Sequence, residues 1–131
     1  PVTYRLEHPD TICGVGSYSM NVILSFKKGW HGYTDNKANE ALGMVPTKVD
    51  IRFPEDIQAN DLELPVKTYT GATLYTGENK FSRTFTFWEP GRTELPVEIV
   101  ISYQVCDNQM CLPPEGHVIK VNIPVTFKKR Q

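Results

Sequence analysis

Two cysteines stand close together in Tyr103-Gln104-Val105-Cys106-Asp107-Asn108-Gln109-Met110-Cys111-Leu112-Pro113-Pro114-Glu115. Four mostly polar residues separate them, a length common in hairpin loops, so the pair can face across a hairpin neck within disulfide reach. Several chemistries are open to such a pair. A structural staple is one, but closing a loop of about six residues removes only about 2 kcal/mol of unfolded-state entropy, against about 4–5 kcal/mol for a loop near a hundred residues. A redox-active pair is another, because a small ring is readily strained and strained or exposed disulfides are the labile ones. Two free thiols are a third. A soft ion such as Cu(I) held by Cys106, Met110, Cys111 and one His is a fourth. The spacing is not that of a zinc ribbon, and there is no second Cys pair. Asp107 should disfavour a thiolate at Cys106, and no Lys, Arg or His adjoins the pair to activate it.

The other candidates are more isolated. Cys13 lies in the Gly-rich turn Cys13-Gly14-Val15-Gly16 and is expected to be a small buried residue, with an exposed free thiol as the alternative. His8 and His117 sit near strand ends and are expected in solvent. Trp30 and Trp88 are expected to pack in the core or at its rim. Met110, inside the cysteine loop, is a candidate partner contact because Met adapts to varied surfaces.

The elements that must position these residues are strands. Tyr18, Met20, Val22, Leu24 and Phe26 alternate with Ser19, Asn21, Ile23 and Ser25, a period-2 stripe with one face buried. Val49, Ile51 and Phe53 repeat the stripe, as do Phe81, Phe85 and Phe87 with Arg83 interrupting. Val97, Ile99, Ile101, Tyr103 and Val105 form the longest alternation and run directly into Cys106. Ile119, Val121, Ile123, Val125 and Phe127 form the last, where Pro124 points to an edge position needing no ladder donor. Glu89-Pro90-Gly91-Arg92 has the Pro and Gly of a type II turn. Only Asn36 to Leu42 reads as helix, closed by Gly43. Seven to nine short strands with turns between them predict a β-sandwich of immunoglobulin-like arrangement.

Composition bounds the rest. The 131 residues carry 14 Lys+Arg against 15 Asp+Glu, which excludes a strongly basic nucleic-acid binder and a highly charged disordered tail. No apolar run approaches the roughly 18–20 residues that cross a bilayer. The length predicts one domain able to bury about two-thirds of its unfolded surface. The start at Pro1-Val2-Thr3, without an initiator Met, predicts a processed product or a piece of a longer chain. The terminal Lys128-Lys129-Arg130-Gln131 is expected to be a solvated end. Asn-x-Ser/Thr is absent.

The cysteine segment resembles the active-site hairpin of the N-terminal periplasmic domain of the thiol:disulfide interchange protein DsbD. Gly29-Trp30-His31-Gly32-Tyr33 is similar to a second segment of that family, and Val45-Pro46-Thr47 to a third. The resemblance spans about Ser17 to Phe127 and implies an immunoglobulin-like sandwich over 1–131, one thiol:disulfide exchange domain of a larger, membrane-anchored periplasmic protein. It implies that Cys106 and Cys111 are the redox pair, with Cys111 forming the mixed disulfide and Cys106 resolving it. It implies a thioredoxin-like domain as electron donor. The acceptors would be periplasmic disulfide isomerases or the thioredoxin-like proteins of cytochrome c biogenesis, with no metal and no cofactor. The family's mobile cap loop corresponds to Thr68-Tyr69-Thr70-Gly71-Ala72-Thr73-Leu74-Tyr75, with Tyr69 as cap aromatic and Gly71 as flexible point. His31 and Tyr33 match positions beside the disulfide. Without the resemblance, the alternative is an immunoglobulin-like binding module whose hairpin disulfide is purely structural.

Overall fold

The computed structural model describes residues 1–88 and 91–126. In chain order the elements are β1 (Val2–Glu7), β2 (Ile12–Cys13), β3 (Gly16–Phe26), β4 (Gly32–Tyr33), α1 (Lys37–Ala41), β5 (Lys48–Arg52), β6 (Gln58–Ala59), α2 (Val66–Tyr69), β7 (Leu74–Tyr75), β8 (Glu78–Phe87), β9 (Glu94–Tyr103) and β10 (Glu115–Thr126). One four-stranded sheet runs β1-β3-β8-β6 and a second runs β2-β10-β9-β5, while β4 and β7 form a small third sheet. Among the described strands β2 joins β10 parallel and the other strand pairs are antiparallel.

The two larger sheets face each other because each strand's apolar stripe has one place to go. Met20, Val22, Leu24, Phe81, Phe85 and Phe87 from one sheet meet Ile51, Val97, Ile99, Ile101, Ile123 and Val125 from the other in a shared core. Burying each such side chain is worth about 1.5–3 kcal/mol. The result is a mostly β, immunoglobulin-like sandwich, as the alternation predicts. Ile23 departs from the stripe: it points away from the core yet is buried too.

Arg83 occupies an inward position of β8 at the sandwich's side. Its guanidinium lies 5.4 Å from the Phe53 ring centroid and donates to the carbonyls of Ile51 (2.6 Å) and Asn60 (2.7 Å). The interruption in the Phe81–Phe87 stripe thus ties β8 to β5 in the facing sheet. Pro124 behaves as its ring requires. Val125 donates its N–H toward Thr93 beside β9, so the alternating backbone turns the Pro124 nitrogen outward, where β2 pairs only with Val125 and Thr126.

Helix α1 matches its expected bounds: Asn36 caps it by accepting from the Asn39 N–H at 2.9 Å, and Gly43 closes it at φ +73°. Four expectations need correction. Cys13 is exposed, because β2 turns Ile12 into the core and period-2 alternation turns its neighbour out. Trp30 packs against the core, but Trp88, just past the end of β8, is 59% exposed. His8 and His117 are half-buried; His117 sits between the rings of Tyr4 and Tyr103 at 5.4 and 5.8 Å. Phe127, the basic 128–131 end, and Glu89 and Pro90 of the expected turn lie outside the described residues; Gly91 has φ +95°.

Candidate active site

Beyond β9 the chain keeps its extended course through Gln104 and buried Val105 to Cys106, which is 1% exposed. It reverses over Asp107–Met110 and returns through Cys111 and Leu112 to β10. Hydrogen bonds hold the neck: Leu112 N–H donates to the Val105 carbonyl (2.9 Å), and the Gln104 side-chain amide donates to the Leu112 carbonyl (3.1 Å). The loop is closed by its first residue. Asp107 N–H donates to the Met110 carbonyl (2.8 Å), while Asp107 Oδ1 accepts from the N–H groups of Gln109 (2.8 Å) and Met110 (2.7 Å). Asp and Asn favour such turns because the short side chain substitutes for a backbone acceptor. Across the neck Cys106 and Cys111 form a disulfide, S–S 2.01 Å and Cα–Cα 4.0 Å. Cys106 is buried and Cys111 is exposed, as is Met110 at 53%.

Sheet β4–β7 stands beside the neck. His31 and Cys106 exchange backbone hydrogen bonds, and the His31 ring contacts the Tyr33 hydroxyl through Nε2 at 3.1 Å, edge to face. Thr47 N–H donates to the Tyr33 carbonyl at 2.7 Å, bringing Val45-Pro46-Thr47 to the same place. Gly32 between them is backbone only for a steric reason: a Cβ there would lie 2.8 Å from both Phe26 Cζ and Thr47 Oγ1. The 29–33 segment thus links the cysteine hairpin on one side to Val45-Pro46-Thr47 on the other.

The 68–75 segment opens on a helical turn. Its first residues close the single turn of α2, Gly71 follows at φ +83°, and β7 returns to pair Leu74 with Tyr33 and Tyr75 with Gly32. Buried Asn39 anchors the return, its amide donating to the carbonyls of Thr34 and Thr73 at 2.8 Å each. Tyr69 is 68% exposed, and its hydroxyl accepts from the Leu64 N–H at 3.0 Å. Among the described contacts none joins Tyr69 or Gly71 to the cysteines; the segment reaches the site through β4.

The electrostatics near the pair centre on Asp107. The Gln109 and Met110 N–H groups hold its carboxyl below the ordinary value of 3.8, with His31 a smaller influence in the same direction. At the base of the hairpin Tyr103 donates to Glu115 Oε2 (2.8 Å), with His117 Nε2 at 3.1 Å. Burial, then that carboxylate, pushes the Tyr103 phenol well above its ordinary range. Among the described residues no group of three or more His, Cys, Asp or Glu is arranged to hold a metal ion. Sequence reasoning missed Asp107 as the turn's organiser, although an Asp opening a four-residue polar loop is the available signal.

A family model described as thiol:disulfide interchange protein DsbD, N-terminal, matches residues 15–123. Two solved Neisseria meningitidis structures are similar to the chain. One is a complex between the DsbD N-terminal and PilB N-terminal domains, at 18% identity and TM-score 0.51, covering 91% of this chain and 80% of that one. The other is the DsbD N-terminal domain in the reduced form, at 14% identity and TM-score 0.49, covering 92% and 86%. No curated protein matches the sequence. At these identities the complex supports the fold.

Proposed function

The chain belongs to the family of the N-terminal domain of thiol:disulfide interchange protein DsbD, and from that premise we propose that Cys106 and Cys111 carry electrons between partner proteins. The observation that carries the reading is the disulfide's asymmetry: one cysteine is buried and pinned to β4, the other exposed. A donor thiolate attacks the Cys111 sulfur, the Cys106–Cys111 bond breaks, and Cys106 leaves as a thiolate that takes up a proton. The donor's second thiolate then displaces Cys111 and becomes half of the donor's disulfide. Two electrons and two protons have passed to this chain. In the second half-cycle the Cys111 thiolate attacks an acceptor disulfide. Cys106 resolves the mixed disulfide, restoring the ring.

The donor in this proposal is a thioredoxin-like domain. The acceptors are periplasmic disulfide isomerases or the thioredoxin-like proteins of cytochrome c biogenesis. The relative solved in complex with a PilB N-terminal domain is in keeping with a protein partner. Residues 1–131 would be one exchange domain of a membrane-anchored periplasmic protein; no helix among the described residues is long and apolar enough to cross a membrane. His31 and Tyr33 would frame the pair. Tyr69 would be the cap aromatic, with Gly71 as the point about which the segment moves. Gly71 suits that use because φ +83° is strained for other residues.

A structural staple is disfavoured by the neck itself, where hydrogen bonds at Val105–Leu112 and Asp107–Met110 already hold the hairpin. The test is equilibration with a thioredoxin-like reductant across a range of potentials. The pair should convert between dithiol and disulfide within the range the partner reaches. A pair that stays oxidised throughout would leave the binding-module reading. For the cap, Tyr69→Ala should speed alkylation of reduced Cys111 by a small reagent; an unchanged rate would remove Tyr69 from that role.

A further inference from the structure

We propose that Asp107 is a positioning residue for the thiol pair, its carboxylate holding the 107–110 turn closed so that Cys111 stays within bonding reach of Cys106 after reduction. This rests on the redox reading above and names what sets the pair's equilibrium.

The two cysteines are restrained differently. Cys106 is buried, and both its backbone groups are bonded to His31. That restraint does not involve the disulfide and persists when it opens. Cys111 is exposed, and the residues before it, Asn108, Gln109 and Met110, are exposed as well. No packing therefore fixes that arm of the loop. After Cys111 the neck bond from Leu112 N–H to the Val105 carbonyl holds the chain; before it, the arm is held by Asp107 Oδ1, which receives two N–H groups at 2.8 and 2.7 Å, together with the Asp107 N–H to Met110 carbonyl bond. Hydrogen bonds to an ionised acceptor are stronger than neutral ones. The depressed carboxyl pKa agrees with that geometry and keeps the acceptor ionised at neutral pH.

Ring closure of a dithiol depends on how often the two sulfurs meet, and a held turn raises that local concentration. When the disulfide is reduced, two electrons and two protons enter. The S–S bond becomes two S–H groups, while the bonds at Asp107 are untouched. Removing the carboxylate should release the Cys111 arm and lower the closure constant. Asn keeps a side-chain carbonyl in the same place and suits the same turn.

The experiment measures the equilibrium constant of wild type, Asp107→Ala and Asp107→Asn against mixtures of reduced and oxidised glutathione. Alkylation mass shifts read the outcome, and thermal melts of the oxidised forms run alongside. Asp107→Ala should lower the closure constant about tenfold, the scale of one lost hydrogen bond to a charged group, or about 30 mV for a two-electron couple. Asp107→Asn should stay within about threefold of wild type, by the same arithmetic. The oxidised Asp107→Ala protein should melt below wild type, because a lower closure constant requires the substitution to cost the disulfide form more than the dithiol form. An Asp107→Ala constant equal to wild type overturns the proposal. So does an equal shift in both variants, which would assign the effect to charge. A wild-type pair that does not exchange at all overturns the redox reading first.

Discussion

His31 and Cys106 are joined by two reciprocal backbone hydrogen bonds, His31 N–H to the Cys106 carbonyl at 2.9 Å and Cys106 N–H to the His31 carbonyl at 3.0 Å. Through them the cysteine hairpin becomes the neighbour of His31, whose next two residues, Gly32 and Tyr33 of β4, pair with β7 at the foot of the 68–75 segment. The backbone therefore runs continuously from Cys111 across Cys106 and β4 to the segment proposed as a cap. Cys106 is buried on this ladder and Cys111 is exposed, the difference on which the proposed division of roles rests.

That division predicts which variant traps a partner. With Cys106→Ser, the exposed Cys111 thiol can still attack a partner disulfide and nothing resolves the adduct, so a stable mixed disulfide should accumulate. With Cys111→Ser, the remaining thiol is buried and adducts should be nearly absent. Non-reducing electrophoresis after mixing with an oxidised thioredoxin-like protein reads both, and the reverse pattern would exchange the two roles.

Gly32 is predicted to tolerate no side chain. A methyl group there meets Phe26 and Thr47 at 2.8 Å in a buried strand, and overpacking of this kind costs about 1–3 kcal/mol. Chemical denaturation of Gly32→Ala should show that loss, and a midpoint equal to wild type would mean that β4 can shift to make room.

Arg83→Met should also destabilise. The change keeps much of the apolar stem but strips the Ile51 and Asn60 carbonyls of a charged donor, a loss of about 1–3 kcal/mol. Arg83→Lys should recover only part of it, since one ammonium lacks the guanidinium's fixed fork. Full recovery by Lys would show that charge near Phe53, rather than the two-carbonyl clip, is what matters.

Tyr103 predicts an alkaline limb of stability. Its phenol is raised above the ordinary value of 10.0, first by burial and then by its hydrogen bond to Glu115. A folded pKa above the unfolded one means the contribution is whole below the unfolded pKa. It is then lost as pH rises from about 10 toward the folded value. Tyr103→Phe should flatten that decline without removing it, because burial also raises Tyr75. Melts of the oxidised protein at increasing pH check the slope; identical limbs in wild type and Tyr103→Phe would contradict the assignment.

The strands were readable because alternation is a local property. The stripes of Tyr18–Phe26, Val97–Val105 and Phe81–Phe87 each carry their own period, and the core assembled from their faces follows. Cys13 was misread because a two-residue strand has too little pattern to show its phase. Trp88 was misread because aromatic size argues for burial, whereas its place past the end of β8 leaves it outside the sandwich. The 68–75 segment is matched to a cap loop through the resemblance alone. Its helical turn and the return of β7 depend instead on β4 and on Asn39, both far off in the chain.

By itself, then, the amino-acid order determined the mostly β architecture, a Pro124 position that needs no ladder donor, the α1 cap and a cysteine hairpin at the end of the Val97–Val105 alternation. Only the tertiary structure decided that Cys106 is buried against His31 while Cys111 is open, that Arg83 clips the two sheets, and that Asp107 closes the loop. The first group follows from side-chain period and backbone limits acting over a few residues. The second depends on which distant segments share a sheet edge. That is set by the packing of the whole core and leaves no mark at the spacing of neighbouring residues.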